Sequence, residues 1–274
     1  KPVPARVAAG HIMLWMAAFS QMPEPASLVP PPGLAPAAEP PPPGIAAAAV
    51  AVAAPPRRWS GDGWLLLRRG GLAGTAAGPS SPTYGASQAG AVIRYRLDPH
   101  SGHRPALFLR ATAALNRSRE RDVAAGLVLR PVPALPVAVS AEARISDSRA
   151  GIRTRPAAFA HTELAPIDLP GGWRAEAYGQ AGLVGGRGGT AFADGQLRVD
   201  RPVARFGPAE LRAGGGAWAG AQEGVSRVDV APGVTLGLPM GGAASARVAL
   251  DWRFRIAGNA RPETGPALTL SAGF

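Results

Sequence analysis

Residues 265–274 read Gly-Pro-Ala-Leu-Thr-Leu-Ser-Ala-Gly-Phe, and their alternation decides the fold. Leu268, Leu270, Ala272 and Phe274 fall on one side of an extended chain, with Thr269, Ser271 and Gly273 on the other, because successive strand side chains point in opposite directions. The segment upstream repeats the pattern over a greater length. Ala244, Ala246, Val248, Leu250, Trp252, Phe254 and Ile256 share one face, and Ser245, Arg247, Ala249, Asp251, Arg253 and Arg255 share the other. A globular strand runs to about 5 or 6 residues, whereas a tilted membrane crossing needs about 9 to 11. One side of this strand suits hydrocarbon and the other suits water.

Working back from these two, the same period and intervening turn residues mark further strands at Val225–Leu238, Ala209–Ala221, Thr190–Asp200, Trp173–Val184 and Arg155–Leu164. Leu135–Ser146, Val123–Arg130, Pro105–Asn116, Ala86–Leu97 and the less regular Gly63–Arg69 complete the set. An even number of strands, about twelve, joined by hairpin-length connectors predicts an all-β fold, an antiparallel transmembrane β-barrel. A soluble β-sandwich also reads as alternating strands with Gly and Pro turns, but with shorter strands and open edges. If the terminus lies on the periplasmic side, Asp98–His103, Arg130–Pro133, Pro166–Gly172, Arg201–Pro208 and Pro239–Gly242 become periplasmic connectors. Gly70–Gly85, Asn116–Asp122, Asp147–Arg155, Gly185–Gly189, Ala221–Gly224 and Gly258–Gly265 become exterior.

Residues 1–58 differ in kind. Pro30, Pro31, Pro32 and Pro40 to Pro43 favour polyproline II and remove amide donors, so this Pro/Ala-rich segment is expected to be a disordered periplasmic linker ahead of a barrel over 59–274. The apolar patch His11–Phe19 loosely has the form of a secretory signal without its cleavage site, and Ala46–Ala54 is too short to span as a helix.

With no cysteine, the 274 residues hold no disulfide and no thiolate chemistry. The net charge of +11 would suit nucleic acid, but apart from Lys1 every basic residue is arginine, and the arginines sit singly at alternate strand positions. No nucleic-acid partner is expected. Turning the apolar parity to lipid sends Arg94, Arg96, Arg110, Glu142, Arg144, His161, Glu163, Arg174, Glu176, Arg198, Arg212, Arg227, Asp229, Arg247, Asp251, Arg253 and Arg255 into the lumen. On the lipid face each charge would cost about 2–4 kcal/mol near the midplane. Opposite charges two residues apart can brace the wall, and an excess of arginine favours anions in any open path.

Catalysis would need a nucleophile and a base within about 2.6–3.2 Å and a group orienting the base. His161, Glu163, Ser140 and Ser226 are the only candidates and form no recognisable constellation. The histidines lack metal-ligand spacing. No enzymatic activity, cofactor or metal is expected.

A terminal strand closing on Phe resembles the assembly signal of bacterial outer-membrane β-barrels, with Leu268, Leu270, Ala272 and Phe274 in that role. Leu135-Pro136-Val137-Ala138-Val139, Trp173-Arg174-Ala175-Glu176-Ala177-Tyr178 and Ile256-Ala257-Gly258-Asn259 resemble the C-terminal barrel of envelope proteins related to bacteriophage adsorption protein A and exopolysaccharide-secretion porins. That resemblance implies the outer membrane, with its lipid and the barrel-assembly machinery as partners. It also implies a non-catalytic conduit or anchor, with an anionic saccharide or an envelope component as further partner. The alternatives are a plugged structural or receptor barrel that binds phage or a partner, and after it a barrel hydrolase.

Overall fold

The strands close on themselves. The computed structural model describes residues 57–68, 86–115, 120–148, 151–186 and 189–274. The linker ahead of Arg57 and the whole Gly70–Gly85 connector lie outside them. The described chain folds into β1 (Trp59–Arg68), β2 (Gln88–Arg96), β3 (Ala106–Ala114), β4 (Arg121–Leu129), β5 (Val137–Ser148), β6 (Gly151–Thr162), the short β7 (Ile167–Leu169), β8 (Trp173–Val184), β9 (Thr190–Phe206), β10 (Ala209–Gln222), β11 (Val225–Gly241), β12 (Ala244–Gly258) and β13 (Gly265–Gly273). Neighbours in sequence pair antiparallel except β6 and β7, β1 pairs with β13, and β6 pairs with β8. The result is a closed antiparallel barrel of twelve staves, with β7 as a short hairpin arm on β8.

Burial follows the period of two. Along β5 the residues of one parity, from Ala138 to Ser146, are buried, and those of the other, from Val139 to Asp147, are exposed. In a single closed sheet the buried parity faces the lumen. The outer face carries Ile93, Leu107, Leu109, Val123, Leu127, Val139, Ile145, Leu183, Leu197, Val234, Leu250, Trp252 and Phe254, all exposed. Charges appear on it only toward the rims, as Arg121 and Asp147 paired across β4 and β5 at one end, and Arg201 over the Trp173 ring at the other.

Several boundaries differ from the sequence expectation, two of them at prolines. Arg201–Pro208 and Pro239–Gly242 read as connectors, yet β9 runs on to Phe206 and β11 to Gly241. Pro202 is tolerated because the ladder to β10 shifts register there, and Pro239 stands beside another shift. Asp147–Arg155 also read as a connector, but β5 and β6 stay paired to Ser148 and Gly151. One seam is short. β6 meets β8 only over Ala157–His161 and Gln180–Val184, whereas β5 pairs with β6 along its whole length.

Candidate functional site: the lumen

The lumen is built from pairs of large and small residues. Trp64 stands opposite Gly90, Phe108 opposite Gly126 and Phe159 opposite Gly182 across adjacent strands. A Cβ on Gly90 would lie 2.3 Å from Trp64 Cζ2, one on Gly126 2.8 Å from Phe108 Cζ, and one on Gly182 2.3 Å from Phe159 Cβ. Glycine at these sites lets the rings lie flat on the wall. Two apolar clusters result, one of Trp64, Leu66, Val92, Phe108 and Trp218 with small neighbours, the other of Phe159, Tyr178, Val184 and Phe192. These inward aromatics escaped the sequence reading, which followed the apolar parity outward. The signal that could have found them was a ring on the polar parity facing a glycine of the next strand.

Between the clusters the charges meet in a repeated unit. Arg110 Nη2 donates to Glu142 Oε1 at 2.6 Å, and Arg144 Nη2 donates to the same oxygen at 2.6 Å. Asp229 Oδ2 accepts from Arg68 at 2.8 Å and from Arg227 at 2.7 Å. Asp251 accepts from Arg198 at 2.7 Å, and the Arg253 guanidinium lies 3.7 Å from its other oxygen. Each carboxylate serves two guanidiniums, so each triad carries one positive charge in excess. All are removed from water: Arg110 is 1%, Arg144 2%, Asp229 1% and Asp251 1% exposed. Sequence spacing found the Glu142–Arg144, Arg227–Asp229 and Asp251–Arg253 halves, but not Arg68, whose partner lies beyond β13 and β12.

The other residues expected in the lumen sit nearer its ends. Arg247 crosses to Glu176 at 2.8 Å, and Arg212 bonds Asp200 at 2.6 Å and Glu210 at 2.8 Å. Arg94 bonds Asp62, and Arg130 bonds Glu163. Arg174 reaches Asp168 at 3.4 Å, Arg255 lies 3.5 Å from Glu263, and Arg96 is half-buried on β2. In the connector ahead of β4, burial and then the Asp122 carboxylate push the Glu120 carboxyl up to about 7. His161 is buried between the Phe159 and Tyr178 rings, at centroid distances of 6.0 and 6.3 Å. Its expected neighbour Glu163 is taken by Arg130, and Ser226 is exposed, so His161, Glu163 and Ser226 are not brought together. Among the described residues no group of His, Asp or Glu could hold a metal ion.

A pocket of about 40 Å³ lies in this packing. Glu176, Arg198, Trp218, Arg247, Asp251, Arg253, Thr269 and Ser271 are among its lining residues, with Leu66 beside them. Arg253 stacks on the Trp218 ring with its guanidinium carbon 3.9 Å from the centroid, and Arg198 approaches the same ring at 5.5 Å.

No family model matches the chain, and no curated protein does. Among solved structures it is similar to a bacterial polysaccharide outer membrane secretin, at 10% identity and a TM-score of 0.39 over 79% of this chain and 97% of that one. It is similar to the beta domain of the Bordetella autotransporter BrkA, at 12% identity and a TM-score of 0.40 over 79% and 98%. An outer membrane channel from Pseudomonas putida F1 is similar at 13% identity and a TM-score of 0.41 over 81% and 96%.

Proposed function

We propose that this chain is a non-catalytic barrel of the bacterial outer membrane that rests with its lumen shut and serves as a membrane anchor. The observation that carries the proposal is the waist. Leu66 is 0% and Asp251 1% exposed there, which supports a lumen filled by its own side chains. About twelve strands lie between the barrels that side chains just fill and those that keep an aqueous channel, so side-chain size decides the outcome. In this proposal residues 1–58 stay in the periplasm, and Leu268, Leu270, Ala272 and Phe274 present the outward face that the assembly machinery recognises. Outer-membrane lipid covers the apolar belt. An anionic saccharide or an envelope component is the partner at the rims, where Arg96, Arg174 and Arg255 are half-buried.

Planar-bilayer recording tests the shut waist. The unaltered protein is expected to give no steady current, and Trp218→Ala combined with Arg253→Ala is expected to give discrete openings that prefer anions. A steady anion-selective current from the unaltered protein would overturn the anchor and leave the conduit in its place. The conduit is the second proposal, and the excess guanidinium at each triad favours it.

A further inference from the structure

We propose that the pocket beside Trp218 and Arg253 binds one small monovalent inorganic anion of the size of chloride. Three observations converge on it. The first is charge. Arg198, Arg247 and Arg253 face the pocket against only Glu176 and Asp251, and those carboxylates already accept from Arg247 at 2.8 Å and from Arg198 at 2.7 Å. Arg253 lies 3.7 Å from Asp251 Oδ2, beyond hydrogen-bond distance, so three guanidiniums share two carboxylates and one positive charge is in excess. The second is an unmet donor: Arg253 is 4% exposed, and its Nε–H has no hydrogen-bond partner. Its cationic face rests on the Trp218 ring, which orders the guanidinium without neutralising it.

The third observation is size. A water needs about 10–15 Å³ of such space, so a pocket of about 40 Å³ holds a halide with a water or two. The Thr269 and Ser271 side chains line the same pocket, and hydroxyls of this kind donate to halides. Asp251 Oδ2 is buried there without a hydrogen-bond partner, and it sets the main competitor, which is water alone. Buried charge decides against water. A net positive charge in a poorly hydrated interior shifts the balance toward a counter-ion. The site does not depend on whether the lumen conducts.

The test is a crystal of the full chain grown in bromide, with anomalous scattering recorded. It is combined with unfolding midpoints in detergent at equal ionic strength in sodium chloride and sodium gluconate. Bromide scattering within contact of Arg253 is expected, together with a saturable rise of the midpoint in chloride over gluconate. Arg253→Gln is expected to abolish both. Should that variant fail to fold, Ser271→Leu fills the pocket while leaving every ion pair intact and is expected to abolish the chloride effect in the same way. Water density in the pocket of the unaltered protein, with equal midpoints in the two salts, would overturn the proposal.

Discussion

At the scale of single residues, the lumen is governed by the way each carboxylate is shared. A lone ion pair out of water gives little net stability, but removing one partner costs about 3–5 kcal/mol because the other charge is left without compensation. Glu142 is the sharpest case, since Arg110 and Arg144 both depend on it and neither reaches solvent. Glu142→Ala should therefore lower unfolding stability by about 3–5 kcal/mol in a urea titration in lipid vesicles. Glu210→Ala, at the more open pair with Arg212 and Arg205, should cost about 1 kcal/mol or less. Equal losses would show that the triads are solvated. Pairs two residues apart were legible at Glu142–Arg144, Arg227–Asp229 and Glu210–Arg212, but not at Arg174, which reaches Asp168 instead of Glu176. The Arg68–Asp229 and Arg247–Glu176 bonds were not, because strand alternation gives a residue's face and says nothing of which distant stave it meets across the lumen.

At the scale of the strand, the outer parity is an apolar stripe and the inner parity a mixture of charge, ring and glycine. Leu109, exposed at 51% near the middle of β3, tests the lipid belt. Leu109→Arg should cost about 2–4 kcal/mol of unfolding stability in vesicles, and much less at Arg121 or Arg201 depth. No loss would mean that this face meets water. The strands themselves were legible because their alternation survives small residues: Ala141 and Ala143 keep the outward parity of β5 as well as Val139 does. Strand ends were less legible. Pro202 and Pro239 were read as stops, whereas in a ladder a proline stops nothing if its missing donor falls at a register shift, as at Pro202; Pro232, inside the expected strand, sits where the pairing skips a rung between the Val230–Phe254 and Gly233–Asp251 pairs.

For the molecule as a whole, closure joins the first stave to the last. Gly61 and Phe274 exchange backbone hydrogen bonds of 3.1 and 3.0 Å, and the Phe274 ring occupies the space that a Cβ on Gly61 would take. Deleting Phe274 removes those bonds, so spontaneous refolding into vesicles should lose about 1–3 kcal/mol of stability. Insertion in cells should fall far more steeply if the terminal strand is also the assembly signal, and parallel losses in the two assays would reduce Phe274 to a structural part. The barrel class was legible from the chain, because only a cylinder satisfies long two-faced strands in lipid. The packing inside the lumen was not, since it depends on rings and guanidiniums contributed by staves far apart in sequence. The short β6–β8 join has a mechanical corollary. A tube riveted along every line but one concentrates hoop stress on that line, so when the surrounding bilayer thins or bends, the wall should tear open sideways between Ala157–His161 and Gln180–Val184 before any other pair of staves parts.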